Sequence, residues 1–258
     1  MKITFLGTGA ADWDWTNCPP GTRKSTCTHL GASCLLDAGP GVLRGLAEVG
    51  ASPARVADLL ITHTHRDHFH RDSILAIART GRRRLRVWGP PQALAQLDAA
   101  TCDMHPLQPG ETFRVAGMRA VALLANHAVE RDLTEQPLNY AFLGRGIRLL
   151  YALDGAWFCI KARLALKDFL GGKTLSTVIW DATCGNTFRD WRFAEHNDLR
   201  MIDDLRASML GDRLVAEDTL HVFDHIARTL WPASPAAQQR LAARFHGLLA
   251  QDGLALEV

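Results

Sequence analysis

Apolar residues along the chain fall into short runs separated by glycine, proline or charged clusters, and the period of those runs changes repeatedly. Continuous or alternating runs predict strands, whereas apolar spacing of three to four predicts amphipathic helices. On that basis strands are expected at residues 2–6, 33–37, 57–62, 84–88, 176–180 and 220–224. Helices are expected at 40–49, 72–79, 91–99, 161–170, 198–209 and 234–250. The helix at 91 begins at the Pro90-Pro91 pair, and the Pro-Ala-Ser-Pro stretch at 232–235 reads as a helix start. Gly117 and the Gly144-Arg145-Gly146 turn each sit between alternating segments, which is how hairpins look. No internal repeat or low-complexity linker interrupts the pattern, so residues 1–258 are expected to form a single domain with two β-rich halves flanked by helices.

One short stretch does not fit a purely structural reading. His63-Thr64-His65-Arg66-Asp67-His68 follows directly on the apolar run Leu59-Leu60-Ile61-Thr62. Three imidazoles and a carboxylate in six residues would each need desolvation and a hydrogen-bond partner if packed inward, so they read as metal ligands at the end of a buried strand. His63 and His65, two positions apart, can close on one ion while Asp67 and His68 face a second. Further candidates also stand at strand ends: His127 after Asn126, Asp154 in Leu149-Leu150-Tyr151-Ala152-Leu153-Asp154-Gly155, and His225 in Leu220-His221-Val222-Phe223-Asp224-His225. Each alone is weak; their common placement is what makes them a set.

Composition narrows the class. A chain of 258 residues with 47% hydrophobic content can bury a substantial core. Lys plus Arg at 29 against Asp plus Glu at 27 leaves a formal charge of +2, so no strong field marks the protein as a polyanion binder. The one basic cluster, Arg82-Arg83-Arg84 with Arg79 and Arg86 nearby, reads as a solvated turn before a strand. Six cysteines form no C-x-x-C pair, which argues against a disulfide framework or a zinc ribbon and leaves buried or half-buried free thiols. No stretch has the features of a signal peptide, and none approaches the roughly 18 apolar residues of a membrane span. A cytoplasmic protein is expected, without membrane contact.

Other features carry less. Gly7-Thr8-Gly9-Ala10-Ala11-Asp12 starts like a dinucleotide fingerprint, but Asp12 holds the third glycine position. Trp13 and Trp15 could form a flap or pack under their loop, and the sequence leaves both open. His29, His70, His105, His221 and His246 have no partners at ligand spacing and read as ordinary hydrogen-bonded or surface histidines, with His70 able to border the site. Asp181 ends a strand and is either support for the site or a cap.

The sequence resembles the metallo-β-lactamase superfamily. H-x-H-x-D-H is matched in full at His63, His65, Asp67 and His68, and Lys2-Ile3-Thr4-Phe5-Leu6-Gly7-Thr8-Gly9, Leu35-Leu36-Asp37-Ala38-Gly39 and Val87-Trp88-Gly89-Pro90 are similar too. The resemblance implies an α/β fold, the αββα metallo-β-lactamase-type sandwich of two facing β-sheets flanked by helices. It implies two divalent metal ions, Zn or Mn, with His63, His65 and His127 on one, Asp67, His68 and His225 on the other, and Asp154 bridging. Within the superfamily the chain looks most like the phosphodiesterase branch, meaning tRNase Z and the phosphoribosyl 1,2-cyclic phosphate phosphodiesterases of phosphonate breakdown (PhnP-like). The stretch Glu195-His196-Asn197-Asp198-Leu199 carries that likeness. In that branch a histidine here assists the leaving group without ligating metal, which implies catalytic roles for His196 and, as both ligand and orienter of the nucleophile, Asp67. The extra structural zinc of PhnP-type enzymes is not implied, because the loop from Trp13 to Lys24 offers only Cys18 and the position three after His225 is Arg228.

The implied function is hydrolysis of a small phosphodiester, a cyclic phosphate ester first among them, by a hydroxide activated by two metals. The alternatives are a tRNA 3′-processing endonuclease, another hydrolase of the fold and, last, a noncatalytic metal-binding protein. Against the nuclease, only 27 positions separate His127 from Asp154, which leaves no room for the long basic insertion that family uses to hold tRNA. The expected partner is a small phosphorylated substrate and not nucleic acid; a homodimer is one of the assemblies left open.

Overall fold

In a computed structural model, residues 1–15, 19, 21–129, 134–144, 146–188 and 190–258 are described. Cys18 and Arg145, on which two expectations fall, lie outside the described residues. The chain divides into two compact units, one comprising Met1–Gln108, Val129–Leu138 and Gln251–Val258, the other Pro109–Ala128 and Asn139–Ala250.

The first unit is built on β1 (Lys2–Gly7), β2 (Cys27–Leu30), β3 (Cys34–Leu36), β4 (Asp58–Leu60), β5 (Leu85–Gly89), β6 (Cys102–Pro106) and the returning β14 (Ala255–Glu257). They form one seven-stranded sheet in the order β14-β1-β2-β3-β4-β5-β6. β3 to β6 run parallel, and β3 and β4 are buried along their whole length, which explains the apolar runs at Leu35-Leu36 and Leu59-Leu60: helices cover parallel strands and leave no wet face to alternate against. α1 (Val42–Glu48), α2 (Arg71–Thr80) and α3 (Pro91–Leu94) supply Leu46, Ile74, Ile77 and Leu94 to a core with Leu35, Leu59 and Val87.

The second unit holds β7 (Thr112–Val115), β8 (Met118–Leu124), β9 (Leu138–Gly144), β10 (Ile147–Ala152), β11 (Thr177–Asp181), β12 (Leu220–Asp224) and β13 (Leu248–Leu249), in the sheet order β13-β12-β11-β10-β9-β8-β7. The expected hairpin at Gly117 joins β7 to β8, and β9 pairs antiparallel with β10 from Gly144 and Ile147 onward. β10 to β13 are parallel. α4 (Ile160–Leu170), α5 (Leu199–Gly211) and α6 (Pro235–Arg244) pack Leu166, Phe169, Ile202 and Leu241 against Leu150, Trp180 and Phe223.

Parallel neighbours end on the same edge of their sheet, and loops at carboxyl ends of strands are where α/β folds place their chemistry. In the first unit Asp37 follows β3 and Thr62 to His68 follow β4. In the second, Asp154 follows β10, Asp181 ends β11 with Thr183 just beyond, and His225 follows β12.

Several boundaries differ from expectation. The helix expected at 91–99 stops at Leu94, because residues 95–102 close on themselves in turns such as Gln96 N to Ala93 O and Ala100 N to the Asp98 carboxylate. The helix expected at 234–250 stops at Arg244, after which Leu248–Leu249 pair with Val222 and Phe223 of β12. Gly247 makes that close approach possible: a Cβ there would lie 2.2 Å from Cε2 of the fully buried Phe223 ring. Gly247→Ala is therefore expected to destabilise the fold by about 1–3 kcal/mol, the usual cost of overpacking, read from urea or thermal unfolding; an unchanged midpoint would show that the ring yields freely. β2, β6, β13 and β14 were not expected, being short or polar strands that exist only by pairing with longer neighbours.

The uncommitted residues have ordinary partners. Cys27, Cys34, Cys102 and Cys184 are buried and Cys159 is half-buried. Arg82, Arg83 and Arg84 are exposed, and Arg86 forks onto the buried Asp58 carboxylate at 2.7 Å with both nitrogens. Trp13 is half-buried against Gly9, where a Cβ would come within 2.8 Å of its Cδ1. His105 stacks on Trp88, and His70 Nδ1 meets Ser73 Oγ at 2.8 Å.

His221 is buried and accepts a hydrogen bond from Trp180 Nε1 at 3.0 Å, and burial pushes its pKa down to about 4. Its folded pKa thus lies below the unfolded value near 6.5, so the unfolded chain binds more protons between these values and stability rises with pH there. This contribution is complete above about pH 6.5 and is lost as pH falls toward 4. Unfolding midpoints measured from pH 7 to 4 should fall less steeply in His221→Gln than in the parent; parallel curves would remove His221 from the acid response.

Candidate metal centre

In the first unit the ligand-type residues occupy a tight turn, closed by His68 N and Phe69 N donating to His65 O at 3.0 and 2.8 Å. His63, Asp67 and His68 are buried and His65 is half-buried. The His63 ring centroid lies 4.7 Å from that of His65 and 4.4 Å from that of His68. The turn is zipped onto the end of β3: Ala38 N donates to His68 O, and His70 N donates to Ala38 O. Gly39 allows this contact, since a Cβ there would lie 2.2 Å from Asp67 O. On the other side buried Glu135 takes Thr64 N at 2.8 Å and Thr64 Oγ1 at 2.5 Å.

The ring tautomers follow from hydrogen-bond counting. Asp37, fully buried with φ +60°, accepts from Thr62 N and Thr62 Oγ1 through one oxygen and meets His68 Nδ1 at 2.9 Å with the other. Thr62 Oγ1 has one proton and gives it to Asp37, so toward His63 Nδ1, 2.9 Å away, it acts as acceptor. Both His63 and His68 then carry their proton on Nδ1 and keep the Nε2 lone pair for a metal. Such outer partners are what fix a ligating histidine.

The second unit repeats the construction. Asp181, fully buried, accepts from Thr183 N and Oγ1 at 2.9 and 2.6 Å with one oxygen and from His196 Nδ1 at 2.8 Å with the other. Thr183 Oγ1 in turn accepts from His225 Nδ1 at 2.7 Å. An Asp-Thr pair thus holds two imidazoles by Nδ1 in each unit: His68 and His63 in one, His196 and His225 in the other. Burial alone would raise the Asp181 pKa, but the imidazoles of His196 and His225 outweigh it and hold the carboxyl below its ordinary value.

Asp154 stands among these histidines. Its Oδ1 is 3.0 Å from His225 Nε2 and its Oδ2 3.5 Å from His127 Nε2, so each oxygen faces a different imidazole, the disposition a bridging carboxylate needs. His127 Nδ1 faces Glu195 O at 3.4 Å. The His196 ring lies 5.1 Å from His127 and 5.5 Å from His225 between centroids. Asp154 and His225 both have left-handed backbone, φ +47° and +58°, which Asp and His tolerate better than most residues. Three asparagines brace the Asp154 loop, Asn139 Nδ2 on Leu153 O, Asn197 Nδ2 on Gly155 O and Asn126 Nδ2 on Ala156 O, at 2.7, 2.8 and 2.9 Å.

His63, His65, Asp67 and His68 therefore come together in the first unit, and His127, Asp154, His196 and His225 in the second. Asp181 supports the site, as one of its two readings held. Asp37, Thr62, Glu135, Thr183 and the asparagines were not singled out; the only hint was that Asp37, like Asp154, is a carboxylate closing an apolar strand. The donor set is imidazole nitrogen and carboxylate oxygen, which suits a divalent ion such as Zn²⁺ or Mn²⁺. The spacing does not by itself separate ligand from bystander, because His196 also offers an atom within 4.8 Å of those of Asp154, Asp181 and His225.

Comparison with known proteins agrees with this chemistry. Residues 33–170 match the family described as Beta-lactamase superfamily domain. Ribonuclease Z of Methanothermobacter thermautotrophicus is 30% identical over 145 residues, 50% of this chain but only 45% of that protein. The metallo-β-lactamase fold protein YhfI from Bacillus subtilis shares the fold over 100% of this chain and 99% of its own, with 15% identity and a TM-score of 0.72. A diphosphatase from the PhnP family aligns over 100% of this chain and 97% of its own at 18% identity and a TM-score of 0.70. The fold implied by the sequence, the α/β metallo-β-lactamase sandwich, is thus shared from end to end. With more than half its length matched, the chain belongs to the β-lactamase superfamily.

Proposed function

We propose that this chain hydrolyses small phosphodiesters, with a cyclic phosphate ester such as phosphoribosyl 1,2-cyclic phosphate as the first candidate. The observation that carries the reading is His196, held by buried Asp181 through Nδ1 beside His127 and His225. Imidazoles held in this way are suited to proton transfer, and an alkyl phosphodiester, unlike a thioester with its stable thiolate, has an alkoxide leaving group that needs a proton. His63, His65 and His127 would hold one divalent ion, Asp67, His68 and His225 a second, and Asp154 both. Bound there, the ions would lower the pKa of a water toward neutrality and neutralise phosphate charge. Asp67 would orient the attacking oxygen, and His196 Nε2 would deliver a proton to the departing one while Asp181 stabilises the imidazolium. A structural relative described as a diphosphatase from the PhnP family supports hydrolysis at phosphorus as the class of reaction.

Ribonuclease Z is the second reading, favoured by the sequence relatives that bear that name. Against it stand the 27 positions from His127 to Asp154 and the near-neutral charge, which leave little surface for counterion-releasing contacts to a polynucleotide. The deciding experiment is an activity panel on metal-analysed protein: a bis-aryl phosphate, ribose cyclic phosphates, 2′,3′-cyclic nucleotides, precursor tRNA, a thioester and a β-lactam. Turnover of the small esters is expected. Efficient, salt-sensitive cleavage of precursor tRNA would overturn the first reading in favour of the second.

A further inference from the structure

Large apolar side chains exposed to solvent are few among the described residues, and the aromatic ones sit on the two segments that flank His196. Trp191 is 75% exposed, Phe193 50% and Trp157 44%. Trp191 and Phe193 belong to one 3₁₀ turn, Trp191–Ala194, which leads straight into His196: Glu195 N and His196 N both donate to Arg192 O at 2.8 Å. Trp157 lies three residues past Asp154, and its N–H donates to the side chain of Asn197, the residue after His196, at 2.9 Å. Asn197 also holds Gly155 O at 2.8 Å, so the residue after His196 grips the Trp157 segment at two points, while the Trp191 turn runs directly into His196 along the chain.

These rings are presented on ordered backbone. Asp190 caps the turn, accepting from Arg192 N at 3.0 Å and from Arg192 Nε and Nη2 at 2.7 and 3.0 Å. Phe188, in the same stretch, is only half exposed and has Arg200 3.8 Å above its ring. Trp191 has the Arg192 guanidinium 5.7 Å from its ring and still leaves most of its surface in water. An exposed tryptophan adds nothing to the core, whereas a ring with few rotamers on a capped turn loses little entropy when a planar ligand stacks on it.

We propose that Trp191, Phe193 and Trp157 form an aromatic subsite that stacks a planar ring, a nucleobase, carried by the substrate on its leaving-group side. The side is assigned on the phosphodiesterase reading, in which His196 meets the leaving oxygen; the subsite itself does not depend on that reading. Phe193, three residues before His196, lies within about 11 Å of it along even a fully extended chain, which a nucleoside spans. A bare ribose cyclic phosphate would leave the rings unused, so within the class of phosphodiesters proposed above the subsite, if it serves the reaction, shifts the choice from the phosphoribosyl ester to a nucleoside cyclic phosphate or the terminal nucleotide of an RNA. Both offer the same base and phosphate.

The test separates binding from turnover. Calorimetric titration of the full chain with adenosine 5′-monophosphate and with ribose 5-phosphate compares ligands that differ only in the base. Stacking predicts roughly tenfold or more tighter binding of the nucleotide. Trp191→Ala and Phe193→Ala should shrink that ratio and Trp191→Phe should restore most of it, while Leu43→Ala, an exposed apolar residue elsewhere, should leave it alone. Equal affinity for the two ligands, or an undiminished ratio in the Trp191→Ala/Phe193→Ala double variant, would overturn the subsite. So would a change of oligomeric state in that variant by light scattering with the ratio intact, which would assign the rings to contact with a second copy. Turnover of 2′,3′-cyclic adenosine monophosphate against a short single-stranded RNA then tells which source of base the subsite serves. If neither these nor any phosphodiester of the activity panel is cleaved but the binding ratio holds, the hydrolytic reading fails and the subsite stands.

Discussion

His63→Ala is expected to lose metal and hydrolysis together, on every substrate tested. His63 is fully buried, its Nδ1 proton is committed to Thr62, and its ring touches those of His65 and His68, so no mobile neighbour can replace its Nε2. Removing an outer partner of a ligand typically costs 10–100-fold in metal affinity or activity, and removing the ligand itself should exceed that. Thr62→Val supplies the comparison: it keeps the imidazole but leaves the hydroxyl's roles toward both His63 and Asp37 unfilled, and should fall in the roughly 10–100-fold range. Metal per chain from elemental analysis, measured beside turnover, checks both. A His63→Ala protein that keeps its full metal content and loses only rate would remove His63 from the ligand set.

The contrast between those two residues also shows what could be read from the chain. His63 to His68 were legible because the motif is contiguous and its composition has no structural use. His127, Asp154 and His225 were legible by position, each closing an apolar strand, and the parallel register of β10, β11 and β12 is why that position brings Asp154, Asp181 and His225 to one sheet edge. Asp37, Thr62 and Thr183 were not legible, because a threonine or aspartate after a strand is common and the second role of these depends on which strands become neighbours. The asparagine brace is a still longer-range matter: Asn126, Asn139 and Asn197 meet one loop from three separate elements. The same limit applies to the fold. Long periodic runs gave the main strands and helices within a few residues. β13 and β14 escaped because two- and three-residue strands are defined by their partners, here Val222 and Phe223 of β12 and Lys2 to Thr4 of β1. The helix ending at Arg244 escaped because the stop lies in the contact of Gly247 with Phe223, not in any local breaker pattern.

The repeated Asp-Thr construction makes the second large effect specific. In the first unit both imidazoles it holds belong to the ligand motif; in the second one of them is His225 and the other is His196. If His196 moves a proton and does not ligate, His196→Ala should keep its metal and most substrate affinity while losing roughly 10²–10⁴ in turnover, the range for a general acid or base. Leaving groups discriminate further. An acidic phenol departs without a proton, so its hydrolysis should suffer little, whereas an alkyl or ribosyl ester should show the full loss. Asp181→Asn should give a smaller version of the same pattern, since an amide can accept the Nδ1 proton but cannot stabilise the imidazolium; it also disturbs Thr183, so metal content must be measured alongside. Loss of a metal ion in His196→Ala, or equal losses on acidic and poor leaving groups, would assign His196 to metal or substrate binding and discard its role as proton donor.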